Sequence, residues 1–447
     1  MKKNSLIVFL FILFLIVFSF NNIYANTSSK EFVDIKTPAA VVIDYDTGRV
    51  LFDKNASDKR PMASLTKVMT SILLVENCEM DEMIEVPSQA TWIGGSTVGL
   101  KKGDKVSAKS LLYGMLLPSG NDCAYTVGIH IGGDITNFAN MMNKKAKEIG
   151  ATNTSFENPH GLDSKAHYTT AKDMALITRY ALRNKYINEA VKTKSITINF
   201  GSFSKLLNNT NALLKTYDKA DGVKTGFTNG ANRCLVASAT DNGRRFIAVV
   251  LGAETTNIRF STAKTILEES FKKYEKMDIS KYLNFYINIP IIKGNKDFYE
   301  RQFSDSLILP LTKQEYEDIY IKQDTIQKIE APMEAGTYVG KIQVVLGDEI
   351  LYEKSFYLEE DIYKKTIKDY ILEGIHNLFR PTQTNIKEFI MNSFYITIPT
   401  NTNIILIIKE TIYVKYGTFT LYFFFSSNFF LLLSSTLFIP SLSFLKL

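Results

Sequence analysis

The segment Pro61–Thr70 reads PMASLTKVMT and sets Ser64 three residues before Lys67. A hydroxyl and an amine at that spacing share one face of a helix that begins near Ala63, within hydrogen-bonding reach of each other. Burial disfavours the charged ammonium, so a desolvated lysine becomes a base near neutral pH and can activate a serine nucleophile. The run that follows, VMTSILLVE, is mostly apolar and supplies that burial. Spacing alone is a weak signal, because Ser-x-x-Lys recurs at Ser202/Lys205, Ser261/Lys264, Ser270/Lys273 and Ser443/Lys446. Context separates the five. Ser202 lies in a short polar stretch, Ser261 and Ser270 on an amphipathic, solvent-facing helix, and Ser443 in a tail of unusual composition.

Two more polar clusters accompany the pair. In Pro118-Ser119-Gly120-Asn121, proline ends an apolar helix and glycine permits a tight loop presenting two polar side chains. By itself this is ordinary turn chemistry. In Gly222-Val223-Lys224-Thr225-Gly226, a cation and a hydroxyl stand side by side at the start of a β-rich run and suit an anionic ligand end. Gly226 lets a substrate backbone approach the strand edge as an added strand.

The elements that must position these groups are legible in outline. Residues 39–53, AAVVIDYDTGRVLFD, read as a hairpin, as do CLVASAT and RRFIAVVLGA around Asp241-Asn242-Gly243. Helical character runs over 64–75, 109–117 and 124–149, between the early and late strands. The fold class expected is therefore α+β, an antiparallel sheet packed by helices. From residue 278 to 358 short β-rich runs (282–292, 306–311, 316–322, and a hairpin around Gly347-Asp348) predict a small all-β domain without catalytic residues.

Composition bounds the rest. A net charge of +6 over 447 residues carries no basic stripe and argues against nucleic-acid binding. Lys2-Lys3, the apolar run Leu6–Phe20 and Ala25 have the three parts of a secretory signal peptide over residues 1–25, which predicts export. Cys78, Cys123 and Cys234 form no Cys-x-x-Cys, and His130, His160, His167 and His376 no metal-ligand spacing, so metal-ion catalysis is disfavoured and no cofactor is implied. Residues 361–380 predict an amphipathic helix with Lys364, Lys365, Lys368, Asp369 and Glu373 opposite its apolar face, suited to a membrane interface or, as the alternative, to packing on the β-rich domain. The tail 381–447 is apolar at 418–439, either a second anchor or an extension from a shifted reading frame.

Ser-x-x-Lys, then Ser-x-Asn, then Lys-Thr-Gly is the order found in serine penicillin-recognising enzymes, with Gly120 where an aspartate often stands. Together with ASLTKVMT, LLPSGND, NPHGLD, YTTAKDMALI, DGVKTGFT and LVASAT, residues 31–277 resemble the low-molecular-mass penicillin-binding proteins that act as D-alanyl-D-alanine carboxypeptidases. The resemblance implies the serine β-lactamase/DD-peptidase fold. It implies hydrolysis of peptidoglycan stem peptides ending in D-Ala-D-Ala, inhibition by β-lactams, and a place at the outer face of the cytoplasmic membrane. Ser64 is the implied nucleophile, Lys67 its base and Ser119 a relay to the leaving amine. Asn121 is implied to bind the substrate amide, and Lys224 and Thr225 its carboxylate with Arg259 in support. Backbone N–H groups of Ser64 and Phe227, next to Gly226, are the implied oxyanion hole. His160, in the compact PHGLD, has no chemical role in that scheme. A DD-endopeptidase, a β-lactamase and a penicillin sensor without turnover share the nucleophile and stand as alternatives.

Overall fold

Strands β1 (Ala39–Asp44) and β2 (Val50–Lys54) form the first hairpin; β3 (Ala220–Thr228), β4 (Asn232–Asp241) and β5 (Arg244–Ala253) form a meander. They make one antiparallel sheet in the order β2-β1-β5-β4-β3, closed by β1 pairing with β5. The computed structural model describes residues 33–378 and three short strand segments, Val414–Lys415, Thr418–Thr420 and Ser434–Ser435. The expected signal peptide lies outside the described residues, as does the tail apart from those segments.

The sheet is the middle of three layers, which is why its central strands are apolar on both faces. Val41, Ile43, Val236, Ile247 and Val249 point into one core, shared with helices α1 (Lys67–Asn77), α2 (Ala108–Leu116), α3 (Asn121–Gly132), α4 (Ile135–Ile149), α5 (Ala171–Ala181) and α6 (Lys185–Lys192). Their neighbours Ala40, Val42, Leu235, Phe246 and Val250 point the other way, against α7 (Thr256–Lys273). On α7, Ala263, Ile266, Leu267 and Phe271 recur at three and four residues, and Phe271 stacks on Phe246 with centroids 4.4 Å apart. Helix α1 is buried from Lys67 through Leu74, so it is the central helix of its layer.

Several expectations shift in detail. The helical stretch 124–149 is two helices, parted at Gly132-Gly133, where Gly133 takes φ 73° and Asp134 caps α4. Ser270 does not face solvent: it is fully buried on α7 and its hydroxyl donates to the Ile266 carbonyl.

The second, smaller domain has its own core of Ile287, Ile289, Phe303, Leu311, Ile342, Val344 and Phe356. Its hairpin Tyr338–Leu346/Glu349–Tyr357 turns at Gly347 as expected. The run 316–322 is not a strand throughout. Thr312 and Glu315 form a capping box that starts a short helix, Lys313–Asp318, before strand Tyr320–Thr325. Arg49, on the first residues before β2, reaches into this domain and pairs with Glu315 at 2.6 Å.

The helix expected over 361–380 spans Ile367–Leu378 among the described residues. Ile362 is instead buried in the small domain's core and bridges Met333. Residues through Lys364 belong to one compact unit, and the next begins at Lys365.

Candidate active site

Ser64 sits on a 3-10 turn, Ala63–Thr66, that leads into α1. Ala63 is held at φ 48°, a left-handed conformation that a non-glycine residue adopts only under constraint. Two glycines supply the constraint by letting backbone approach closely. A Cβ on Gly161 would stand 2.0 Å from the Ala63 carbonyl oxygen, and one on Gly226 would stand 3.2 Å from the Ser64 nitrogen. The loop 158–163 and the edge strand β3 thus clasp the turn from two sides.

Lys67 is fully buried and its Nζ has three partners: Ser64 Oγ at 2.9 Å, Asn121 Oδ1 at 2.6 Å and the His160 carbonyl at 2.7 Å. Burial, with Lys224 nearby, holds its pKa well below the ordinary lysine range. Two of its three partners can only accept. A neutral amine has two hydrogens to give them, which leaves its lone pair for the Ser64 hydroxyl.

Asn121 opens α3. Its Nδ2 donates to Gly94 O at 2.7 Å and its backbone N–H to Ser96 O at 2.7 Å, so both ends of its amide are engaged within the protein. It therefore orients Lys67 directly, a role the resemblance did not imply. Ser119 stands just before α3, buried, with φ 70°.

Strand β3 brings Lys224, Thr225 and Gly226 beside the same turn. Lys224 is buried, donates to the Thr225 carbonyl at 2.8 Å, and has its pKa pulled down to about 7 by burial and then by Arg259. Arg259, on α7, donates to the Gly226 carbonyl at 3.3 Å, and its Nε is buried without a hydrogen-bond partner. Among the described residues neither Lys224 nor Arg259 is paired with a carboxylate. Two uncompensated cations at a strand edge make a place for an anion. Thr225 Oγ1 lies 2.6 Å from Thr210 Oγ1, and Phe227 is half-exposed beneath the Arg233 guanidinium.

Several contributors escaped the sequence reading. His160 acts through its carbonyl oxygen, while burial, and then Lys67, depress its imidazole to about 3, which leaves the ring neutral. His167 is depressed to about 4, chiefly by burial, and pairs with Thr66 at 2.7 Å. The Asp122 carboxylate accepts the backbone N–H groups of Val98, Gly99 and Leu100, which fixes the segment just after Gly94 and Ser96. His160 stands in the compact PHGLD and Asp122 directly follows Ser119-Gly120-Asn121, but nothing in the sequence marks the contacts they make.

Residues 25–255 match the family described as D-alanyl-D-alanine carboxypeptidase, and residues 281–364 match the C-terminal domain of penicillin-binding protein 5. The chain is 35% identical over 334 residues to the D-alanyl-D-alanine carboxypeptidase DacF of Bacillus subtilis, covering 73% of this chain and 86% of that one. It is 30% identical over 376 residues to DacC of Escherichia coli, covering 80% and 92%. Among solved structures it is similar to the DacD carboxypeptidase of Francisella tularensis, with a TM-score of 0.59, 30% identity and 74% and 95% of the two chains covered. Penicillin-binding protein 5 of Haemophilus influenzae superposes with a TM-score of 0.65 at 27% identity, covering 74% and 99%.

Proposed function

The chain belongs to the D-alanyl-D-alanine carboxypeptidase family of low-molecular-mass penicillin-binding proteins, and on that premise we propose that it removes the terminal D-alanine from peptidoglycan stem peptides through an acyl-enzyme on Ser64. The observation that carries this reading is the Ser64–Lys67 pair, 2.9 Å apart, with the amine buried and its other two contacts both acceptors.

Ser64 Oγ attacks the carbonyl carbon of the penultimate D-alanine as Lys67 takes the hydroxyl proton. Charge develops on the carbonyl oxygen, which the backbone N–H groups of Ser64 and Phe227 stabilise. Collapse breaks the C–N bond, and the proton passes from Lys67 by way of Ser119 to the leaving amine. Water then adds to the ester, returns a proton to Ser64 and releases the shortened peptide. Lys224, Thr225 and Arg259 hold the terminal carboxylate, supported by the absence of any acidic partner for the two cations among the described residues. β-Lactams inhibit by acylating the same serine.

The substrate puts the catalytic domain outside the cytoplasm. The domain limits we propose are 31–277 for catalysis and 278–358 for the small domain, extended to take in Ile362. No helix among the described residues is long and apolar enough to cross a membrane. Ile367, Tyr370, Ile371 and Leu372 are exposed on the terminal helix, which supports its lying on a membrane surface. Removing residues 361–447 then frees the protein from membranes once the signal peptide is gone.

The test is free D-alanine released from a peptide ending in D-Ala-D-Ala, with Ser64→Ala beside the parent. Release lost in the variant supports the reading. No release from a protein that still binds penicillin covalently overturns it in favour of a sensor, or of an endopeptidase needing a cross-linked substrate.

A further inference from the structure

Away from Ser64, the C-terminal ends of α1 and α3 meet at the surface. Cys78 caps α1, Glu82 lies in the turn before strand Met83–Glu85, and His130 is in the last turn of α3. The Cys78 sulfur, a Glu82 carboxylate oxygen and a His130 ring nitrogen all lie within 4.8 Å of one another. His130 Nε2 is 2.8 Å from Glu82 Oε1. None of the three is fully buried, so an ion reaches them directly from solvent.

We infer that Cys78, Glu82 and His130 form a binding site for a divalent cation of borderline softness, Zn2+ first, with water as the fourth ligand. The donor set makes the choice. Mg2+ and Ca2+ take oxygen ligands, whereas a thiolate, an imidazole and a carboxylate together are ligands of zinc. Tetrahedral coordination at about 2.0–2.3 Å sets ligand atoms roughly 3.3–3.7 Å apart. The sulfur, no more than 4.8 Å from the other two atoms, moves to that spacing and the histidine–glutamate hydrogen bond, 2.8 Å long, opens by about half an ångström, both through side-chain rotation. On binding, the sulfur–metal bond replaces the S–H bond and the thiol proton leaves to solvent.

The location gives the ion a role. Helix α1 begins at Lys67 and α3 at Asn121, the base and the side chain bonded to it. A cation at the far ends of both helices clamps the pair that sets the Lys67–Asn121 contact. Glu82 and His130 are 48 residues apart in sequence, so no ligand spacing marked the cluster.

The probe is Co2+ added to the full-length protein, reduced and stripped with chelator. A thiolate-to-cobalt charge-transfer band that saturates at one ion per chain and is bleached by Zn2+ is expected. Cys78→Ser loses the band, since Cys123 and Cys234 are buried. Glu82→Gln and His130→Gln each weaken cobalt binding about 10-fold or more, the scale on which even outer-shell partners act. Penicillin labelling of Ser64, retained in all three variants, shows that they fold. Zn2+ raises the melting temperature of the parent and not of Cys78→Ser. No band in the parent overturns the site. So does a band whose affinity survives both Glu82→Gln and His130→Gln, which marks a lone thiol.

Discussion

Gly226 and Ser64 meet through their backbones: a Cβ on Gly226 would fall 3.2 Å from the Ser64 nitrogen and 3.1 Å from the Met62 carbonyl oxygen. The glycine of Lys-Thr-Gly thus keeps the edge strand against the nucleophile's own amide. Gly226→Ala moves that amide by a few tenths of an ångström and is expected to slow acylation by about 10–100-fold while the protein stays folded. The second-order rate with a fluorescent penicillin measures this. An unchanged rate would remove the strand from the oxyanion site.

The two buried lysines give opposite limbs to the pH profile. In the proposed mechanism Lys67 must be neutral to take the serine proton, so kcat/KM is expected to rise as pH climbs through its depressed pKa. In the same mechanism Lys224 must be charged to hold a carboxylate, so kcat/KM is expected to fall as pH passes about 7 in the free enzyme. The same shift costs stability. Its folded pKa lies below the unfolded value, so the penalty is complete below about 7 and fades as pH rises toward the unfolded pKa. Lys224→Met is expected to raise KM, and to raise the melting temperature more at pH 6 than at pH 10. An equal shift at both would contradict the burial argument.

Asp122 holds three successive N–H groups, of Val98, Gly99 and Leu100, from a nearly fully buried position. Asp122→Ala leaves them unpaired and is expected to cost about 3 kcal/mol in urea unfolding. It also loosens the segment holding Asn121, so kcat falls as well. Full stability in the variant would mean that the loop finds other acceptors.

Arg49 is almost wholly buried where the catalytic core meets the small domain, 2.6 Å from Glu315 and 3.6 Å from Glu349. Arg49→Ala leaves Glu315 without its closest cation and is expected to destabilise by about 3 kcal/mol, with D-alanine release from the native protein unaltered. Calorimetry gives the first quantity and the release assay the second. A melting temperature equal to the parent's would show that the pair contributes nothing.

The sequence carried the chemistry further than the packing. Ser64, Lys67, Ser119, Asn121, Lys224 and Thr225 stand out in the sequence because three weak motifs occur in one order in suitable surroundings, and Lys67 is bonded to Ser64 and Asn121 in the structure. The hairpins at Asp46-Thr47-Gly48 and Asn242-Gly243 were readable because turn residues have local causes. What side chains do not encode was not readable. His160 serves Lys67 through a carbonyl, which any residue possesses, and Gly161 matters through its distance to Ala63. Ser270 was misplaced because α7 is covered by a sheet whose second apolar face is recognised only once the strands are ordered. The helix at Lys313–Asp318 starts from a local capping box, Thr312 with Glu315, set among β-rich neighbours whose composition masks it.

Every step of the proposed mechanism rests on acylation of Ser64. Incubating the protein with a β-lactam, digesting it and mapping the adduct by mass spectrometry tests this most directly. One adduct is expected, on the peptide containing Ser64, absent from Ser64→Ala and formed far more slowly by Lys67→Ala. An adduct on another serine, or labelling that persists in Ser64→Ala, would contradict it.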